Sequence, residues 1–237
     1  MDYLKAIDER ISRRTYLDTP VEPNKIKTLN DSINKYNQEA ELAMELIPDG
    51  SKAFNGLRKS YGMFKNVRTI IVLKGKKEDA DLKEKLGQYG ELLVLEATGM
   101  GLGTCWVAGT FDRNNGVLNV GDKEELVCVI TVGNIAAEQT FKEKLVRGMT
   151  HRKTKAAEEL YKSDVPAPQW LLTGIHAVQK APSAVNLQPV KFEFRNGILT
   201  ANVEEDRYLT DLGIAKVHFT LAAGGNFELG NHGEYHN

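Results

Sequence analysis

Apolar residues recur at helical spacing near the start of the chain. Leu4, Ile7 and Ile11 fall on one side, which predicts a helix over 3–14 ending near Arg14. Thr19, Pro20 and Pro23 then interrupt the pattern. The spacing resumes over 24–47 with Ile26, Leu29, Ile33, Leu42 and Leu46, a second predicted helix closed by Pro48-Asp49-Gly50. The run VRTIIVLK at 67–74 has the continuous apolar character of a buried strand. Residues 81–98 form a long amphipathic helical stretch that ends in the glycine-rich GMGLGTCWVAG of 99–109. ELVCVITVG at 125–133 predicts another strand, and THRKTKAAEELY at 150–161 a basic segment turning helical.

DVPAPQ at 164–169 is a linker candidate, because two prolines resist both helix and central strand. Leu171, Leu172, Ile175 and Val178 then predict a short helix. APSAVNLQP, 181–189, is a stiff polar turn. Val190, Phe192 and Phe194 alternate as a half-buried strand, and Asn196-Gly197 signals a two-residue hairpin into ILTANV. A last helix is predicted from Asp211 to Ala223. LGQYGELLVLEATG at 86–99 can be laid over LGIAKVHFTLAAGG at 212–225 with a shift of 126. Leu86/Leu212, Gly87/Gly213, Leu95/Leu221, Ala97/Ala223 and Gly99/Gly225 are identical, which suggests two copies of one arrangement fused end to end.

Composition narrows the function classes. The chain has 237 residues, 31 basic and 32 acidic side chains, and a formal charge of −1. No basic excess is available for a nucleic-acid backbone, so an anion site must come from a few local cations. No charged-then-apolar leader and no apolar run near membrane-spanning length is present, and the two cysteines, Cys105 and Cys128, lie in apolar surroundings. A cytoplasmic protein with reduced, packed thiols is the expectation. His232 and His236 lie four apart, but the glycine-rich tail around them is no convincing helix, and no metal site is expected.

Four stretches could carry chemistry. In ERISRRTY, 9–16, Arg10 and Arg14 would share a helix face, with Ser12 adding a hydroxyl, a donor set suited to a phosphate. From the local pattern alone, a solvated helix end with the arginines complementing the C-terminal dipole is the better explanation. In GLGTCWVAG, 101–109, glycines permit close approach of a ligand to the backbone, or cap a helix before a buried Trp106. The spacing is not that of a dinucleotide-binding turn. THRKTK at 150–155 is a basic patch. In 181–189, Pro182 and Pro189 fix the backbone while Ser183 and Asn186 offer polar groups, a combination that ordinary loops also use.

Together these stretches resemble the nitroreductase family of FMN-dependent flavoproteins. That family has R-x-S-x-R-x-[FY] near the N-terminus, here Arg10, Ser12, Arg14 and Tyr16. It has A-P-S-x-x-N-x-Q-P-W, here Ala181, Pro182, Ser183, Asn186, Gln188 and Pro189, with Val190 where tryptophan is usual. It has G-L-G-[ST]-x-W-x-x-G, here Gly101 to Gly109 without a gap. The order departs in one place. The A-P-S motif normally follows the first by a few tens of residues, but 34–56 lacks it and it stands at 181 instead.

The resemblance implies an α+β fold with a central, mostly antiparallel sheet flanked by helices, in two pseudo-repeated halves, 1–163 and 164–237. Family members are homodimers with each flavin between subunits. Each partial motif occurs once here, in opposite halves, so the chain is expected to imitate the dimer and keep one site. It could still pair with a second copy. FMN would lie between the halves, its phosphate on Arg10, Ser12, Arg152, Lys153 and Lys155. Arg14 would face the pyrimidine edge. Trp106, Val107, Ala108 and Gly109 would form the turn at flavin N5, and Pro182, Ser183, Ala184, Asn186 and Gln188 would close over the cofactor. The implied partners are NAD(P)H and a small electron-poor acceptor. The loss of tryptophan at Val190 and the altered 34–56 segment leave open a flavin binder with little turnover, and a third reading is an α+β protein that binds no flavin and uses its cleft for protein contacts.

Overall fold

The computed structural model describes residues 1–54, 63–140, 148 and 153–237. The chain enters through α1, Tyr3–Glu9, whose N-terminus is capped by the Asp2 carboxylate accepting from the Lys5 N–H at 3.0 Å. The helix stops earlier than its apolar spacing predicts. Arg10 takes an extended ψ of 124°, and Ser12 forms a parallel bridge with Thr104, so backbone pairing replaces the helix beyond Glu9.

Helix α2, Pro23–Ala40, begins with proline at its first turn, where the missing N–H costs nothing. It ends at Glu41, which adopts the left-handed conformation at φ 55°. The expected continuation to residue 47 is therefore replaced. Asn37 grips both backbone groups of Met44, at 2.8 and 2.9 Å, and the chain turns into β1, Glu45–Ile47. Leu42, Met44 and Leu46 are buried in alternation, a strand period hidden within an apparent helical one.

Strands β1, β2 (Thr69–Lys76), β3 (Gly103–Val107) and β4 (Glu124–Gly133) form one antiparallel sheet in the order β1-β2-β4-β3. Between β2 and β3 runs α3, Leu82–Gly99, and Gly101 at φ +75° makes the turn out of it. A second sheet holds β5 (Tyr161–Ser163), β6 (Lys191–Arg195) and β7 (Ile198–Asn202). Asn196 and Gly197, at φ 52° and 80°, turn β6 into β7 as the sequence predicts. The helix expected within 150–161 is not found over its described part: one 3₁₀ turn at Ala157–Glu159 leads directly into β5. Residues 150–152 of that stretch lie outside the described residues.

The irregular stretch 164–168 leads into α4, Gln169–Val178. Helix α5, Leu209–Ala223, and the short pair β8 (Asn226–Phe227) and β9 (Tyr235–His236) close the chain. The fold is α+β, with an antiparallel sheet flanked by helices. One core packs Leu29, Ile33, Ile71, Leu86, Leu93 and Ile130, and another packs Leu171, Ile175, Phe192, Leu199, Phe219 and Tyr235.

Helices α3 and α5 meet between the two cores. A methyl at Gly87 would overlap the carbonyl oxygen of Thr210, and one at Gly213 would overlap the carbonyl oxygen of Glu84. The contact is reciprocal under the shift of 126, because 84 maps to 210 and 87 to 213. Beside it lies a buried ion pair, Lys216 Nζ to Glu84 Oε1 at 2.6 Å, each side chain 1% exposed. Lys216 also donates to the carbonyls of Glu228 and Gly230, and the Gly230 N–H donates to Glu84, so both charges are satisfied and the C-terminal tail is pinned. No helix among the described residues is long and apolar enough to cross a membrane, and none of their His, Cys, Asp and Glu side chains cluster as metal ligands. Both cysteines are buried and neither forms a disulfide.

Candidate functional site

Because the chain is extended after Arg10, Arg10 and Arg14 do not share a helix face. Pairing does instead what helical spacing cannot. The Ser12–Thr104 bridge and an Arg13 N–H bond to the Thr104 carbonyl, 2.8 Å, lay the arginine stretch along β3, whose C-terminal end carries Trp106 and Val107. The first and second motifs are thereby side by side. Arg13, which the sequence pattern does not single out, is 3% exposed and spends its guanidinium on the carbonyls of Ala136 and Glu138. The backbone of Arg14 accepts from the Lys65 N–H, and its side chain is half-buried.

Arg10 reaches a segment 170 residues further along the chain. Its Nη2 donates to the carbonyl of Lys180 at 3.2 Å, one residue before the 181–189 loop. Its Nε lies 3.8 Å from Glu91 Oε1, buried and with no hydrogen bond of its own. Glu91, fully buried on α3, also accepts from the Trp106 indole N–H at 2.9 Å, and its Oε1 lies 2.9 Å from His218 Nε2 on α5. His218 Nδ1 faces the Ala177 carbonyl at 3.1 Å. Gly90 makes room for the Trp106 ring, since a Cβ there would lie 2.6 Å from it. Beyond Trp106 the chain surfaces. Val107 is buried, Ala108 and Gly109 are exposed, and no described residue lies within 4 Å of where a Gly109 Cβ would stand. That backbone can be approached by a flat ligand.

The basic segment meets the proline-flanked loop through Gln188, which is 7% exposed. Its amide oxygen accepts from the Lys155 N–H at 2.9 Å, its amide nitrogen donates to the Lys153 carbonyl at 3.3 Å, and Lys155 Nζ donates to its backbone carbonyl at 2.8 Å. Gln188 thus ties the two segments together. Arg152 lies outside the described residues. Inside the loop the Ser183 hydroxyl accepts from the Gln188 N–H, and the Asn186 N–H bonds back to the Ser183 carbonyl. Val185, Asn186 and Gln188 all have positive φ, 45°, 52° and 49°, although none is glycine. Such a conformation is strained for a β-branched residue, and Val185 is also 56% exposed.

Under the loop, Pro182, Ser183, Gln188, Leu160 and Val190 wall a cavity of about 20 Å³, room for one water. Asp211, in the first turn of α5, lines it and accepts from the Ala184 N–H at 3.3 Å. Burial pushes the Asp211 carboxyl up to about 6, against the opposing pull of that N–H. Burial likewise pushes the Cys128 thiol up to about 12, which removes it as a nucleophile at neutral pH. Glu91, His218 and Asp211 are absent from the sequence motifs. An acidic and a basic residue on otherwise apolar helix faces is the only local signal they give.

The fold recurs in solved structures. A protein of Thermotoga maritima MSB8 described as a "putative nitroreductase" aligns over 99% of this chain and 92% of its own, with 23% identity and a TM-score of 0.66. An FMN-dependent nitroreductase of Clostridium difficile R20291 covers 63% of this chain and 98% of its own, at 21% identity and a TM-score of 0.46. A nitroreductase with bound FMN from Bacteroides fragilis NCTC 9343 covers 59% of this chain and 94% of its own, at 16% identity and 0.45. No curated protein matches the chain. Residues 2–223 match the family model described as "Putative TM nitroreductase", and with nearly its whole length matched the chain belongs to that nitroreductase-like family.

Proposed function

We propose that the chain is an FMN-dependent NAD(P)H oxidoreductase of nitroreductase type, with one flavin cleft built from both of its halves. The observation that carries this reading is the bond from Arg10 to the Lys180 carbonyl, which joins the N-terminal arginine stretch to the loop at 181–189 across 170 residues. The Lys155–Gln188 bonds add the basic segment to the same assembly. In that cleft Arg10, Ser12, Lys153, Lys155 and Arg152 would hold the phosphate. Arg14 would face the pyrimidine edge, where a cation favours negative charge on the reduced ring. The exposed backbone at Ala108 and Gly109 would meet the reactive edge of the ring. Pro182, Ser183, Ala184 and Asn186 would cover it, with Gln188 holding that cover in place. When bound, FMN supplies hydride transfer at N5, from NAD(P)H and then to a small electron-poor acceptor in the same pocket.

The two halves, 1–163 and 164–237, would stand in for the two subunits of a dimer. The reciprocal contact of Gly87 with Thr210 and Gly213 with Glu84 supports this, because a self-complementary interface repeats each contact with the partners exchanged. A cytoplasmic location accompanies this reading. A second reading, a flavin binder with little turnover, is favoured by Val190 standing where the family motif has tryptophan and by the segment 34–56, which lacks the A-P-S motif.

The test is an absorption spectrum of the purified chain with a flavin-to-chain ratio, followed by addition of NADH or NADPH. One flavin per chain that bleaches on reduction and recovers with a quinone or nitroaromatic is the expected outcome. Two flavins per chain would contradict the composite cleft. A bound flavin that ignores both nucleotides would favour the second reading, and a colourless chain that ignores added FMN would reject both.

A further inference from the structure

Glu91 gathers more of the candidate site than any motif residue. Its carboxylate faces Arg10 from the first motif, the Trp106 indole from the second and His218 from the opposite half, while Arg10 continues to the loop at Lys180. The partners of His218 restrict its protons. Nδ1 faces a backbone carbonyl and Nε2 faces a carboxylate oxygen, both acceptors, at 3.1 and 2.9 Å. A neutral ring would present a lone pair to one of them inside a fully buried site. The same carboxylate lies 3.8 Å from Arg10 Nε, so neutralising Glu91 instead would leave that buried guanidinium facing no anion.

We propose that Glu91 and His218 are positioning residues for the anion end of the cleft, acting through Arg10. His218 carries a proton on both nitrogens and shares the Glu91 carboxylate with Arg10, leaving one positive charge in excess. The proposal rests on the flavin reading for the identity of the anion. If His218 were uncharged, Glu91 would neutralise Arg10 fully and draw it inward. With His218 charged, the carboxylate is divided between two cations. The guanidinium then keeps its place, with Nε buried, Nη2 on Lys180 and Nη1 carrying no hydrogen bond among the described residues. Trp106 is held by the other carboxylate oxygen, so the phosphate end and the ring end of the cleft share one anchor.

The experiment compares FMN with riboflavin, which lacks the phosphate, across wild type, His218→Gln and the double variant His218→Gln/Glu91→Gln. Loss of the His218 charge lowers FMN affinity on the order of tenfold and leaves riboflavin affinity nearly unchanged. Removing the Glu91 charge as well restores the excess positive charge and recovers most of the FMN preference. A purely structural role predicts the opposite, with both flavins weakened together and the double variant worse than the single. An unchanged preference in His218→Gln, or no recovery in the double variant, overturns the proposal. Nitrogen-15 NMR of wild type decides the charge even where a variant fails to fold: two protonated ring nitrogens at neutral pH are expected, and a neutral imidazole pattern overturns the assignment. If wild type binds neither flavin, the flavin reading itself falls, a result separate from these.

Discussion

Asp211 is a buried carboxylate that no cation among the described residues answers. It holds one N–H bond, from Ala184, and otherwise faces the apolar wall beneath the 181–189 loop. Its carboxyl titrates near 6 in the folded chain against an ordinary 3.8, with burial as the main cause. A raised carboxyl favours the folded state only while protonated. The contribution is therefore complete below pH 3.8 and is lost as pH rises through about 6, an amount on the order of 3 kcal/mol. Asp211→Asn keeps the oxygen that accepts from Ala184 and removes the charge. Chemical denaturation should find the variant more stable than wild type by about 1–3 kcal/mol at pH 8, with the gap closing toward pH 4.5. An equal gap at both pH values would show that the carboxyl titrates normally. At this scale the sequence tells little. Gln188 and Asn186 stand out in a motif, but Asp211, Glu91 and His218 take their meaning from partners 27 to 127 residues away.

Elements were more legible than residues where one period held throughout. Helix α3 follows its expected span to within a residue at each end, and Asn196-Gly197 announces its hairpin because both turn positions need positive φ. Legibility failed where two periods coincided. Leu42 and Leu46 fit a helix, but Leu42, Met44 and Leu46 also alternate, and the left-handed Glu41 decides for the strand. It failed again at Arg10, where pairing of Ser12 with Thr104 outweighs the intrinsic helical preference of a short segment. The close approach of α3 to α5 makes a prediction at the same scale. Gly87 and Gly213 are required by the opposite backbone and not by their own dihedral angles, so Gly213→Ala must push two helices apart. It should cost about 1–3 kcal/mol in urea denaturation. Gly109→Ala, open on its Cβ side, should be neutral for stability and lower flavin affinity. Equal, small effects at both positions would mean that the helices can slide apart freely.

At the scale of the whole molecule, the two cores meet at a seam between α3 and α5 that cannot open without exposing charge. Glu84 and Lys216 are paired at 1% exposure, Glu91 and His218 are fully buried, and each pair has one member on α3 and the other on α5. Separating the helices would leave a desolvated carboxylate or ammonium uncompensated or force its rehydration, so the halves should unfold together. The chain carries its own reporters. It has two tryptophans, Trp106 in the first half on β3 and Trp170 in the second on α4. Trp170 stacks on Tyr235 at 5.2 Å within the aromatic core, and Trp106 bonds Glu91 at the seam. Trp106→Phe and Trp170→Phe therefore leave single fluorophores that follow opposite halves. Each variant's urea transition, read by its remaining tryptophan, should coincide with its own transition read by circular dichroism. Lys216→Met, which strands Glu84, should lower both midpoints by an amount equivalent to about 3–5 kcal/mol while keeping them together. A first half that melts at a different denaturant concentration from the second would make the chain two tethered domains, and a cleft shared between them would then lack the rigid seam that positions Arg10 against the loop.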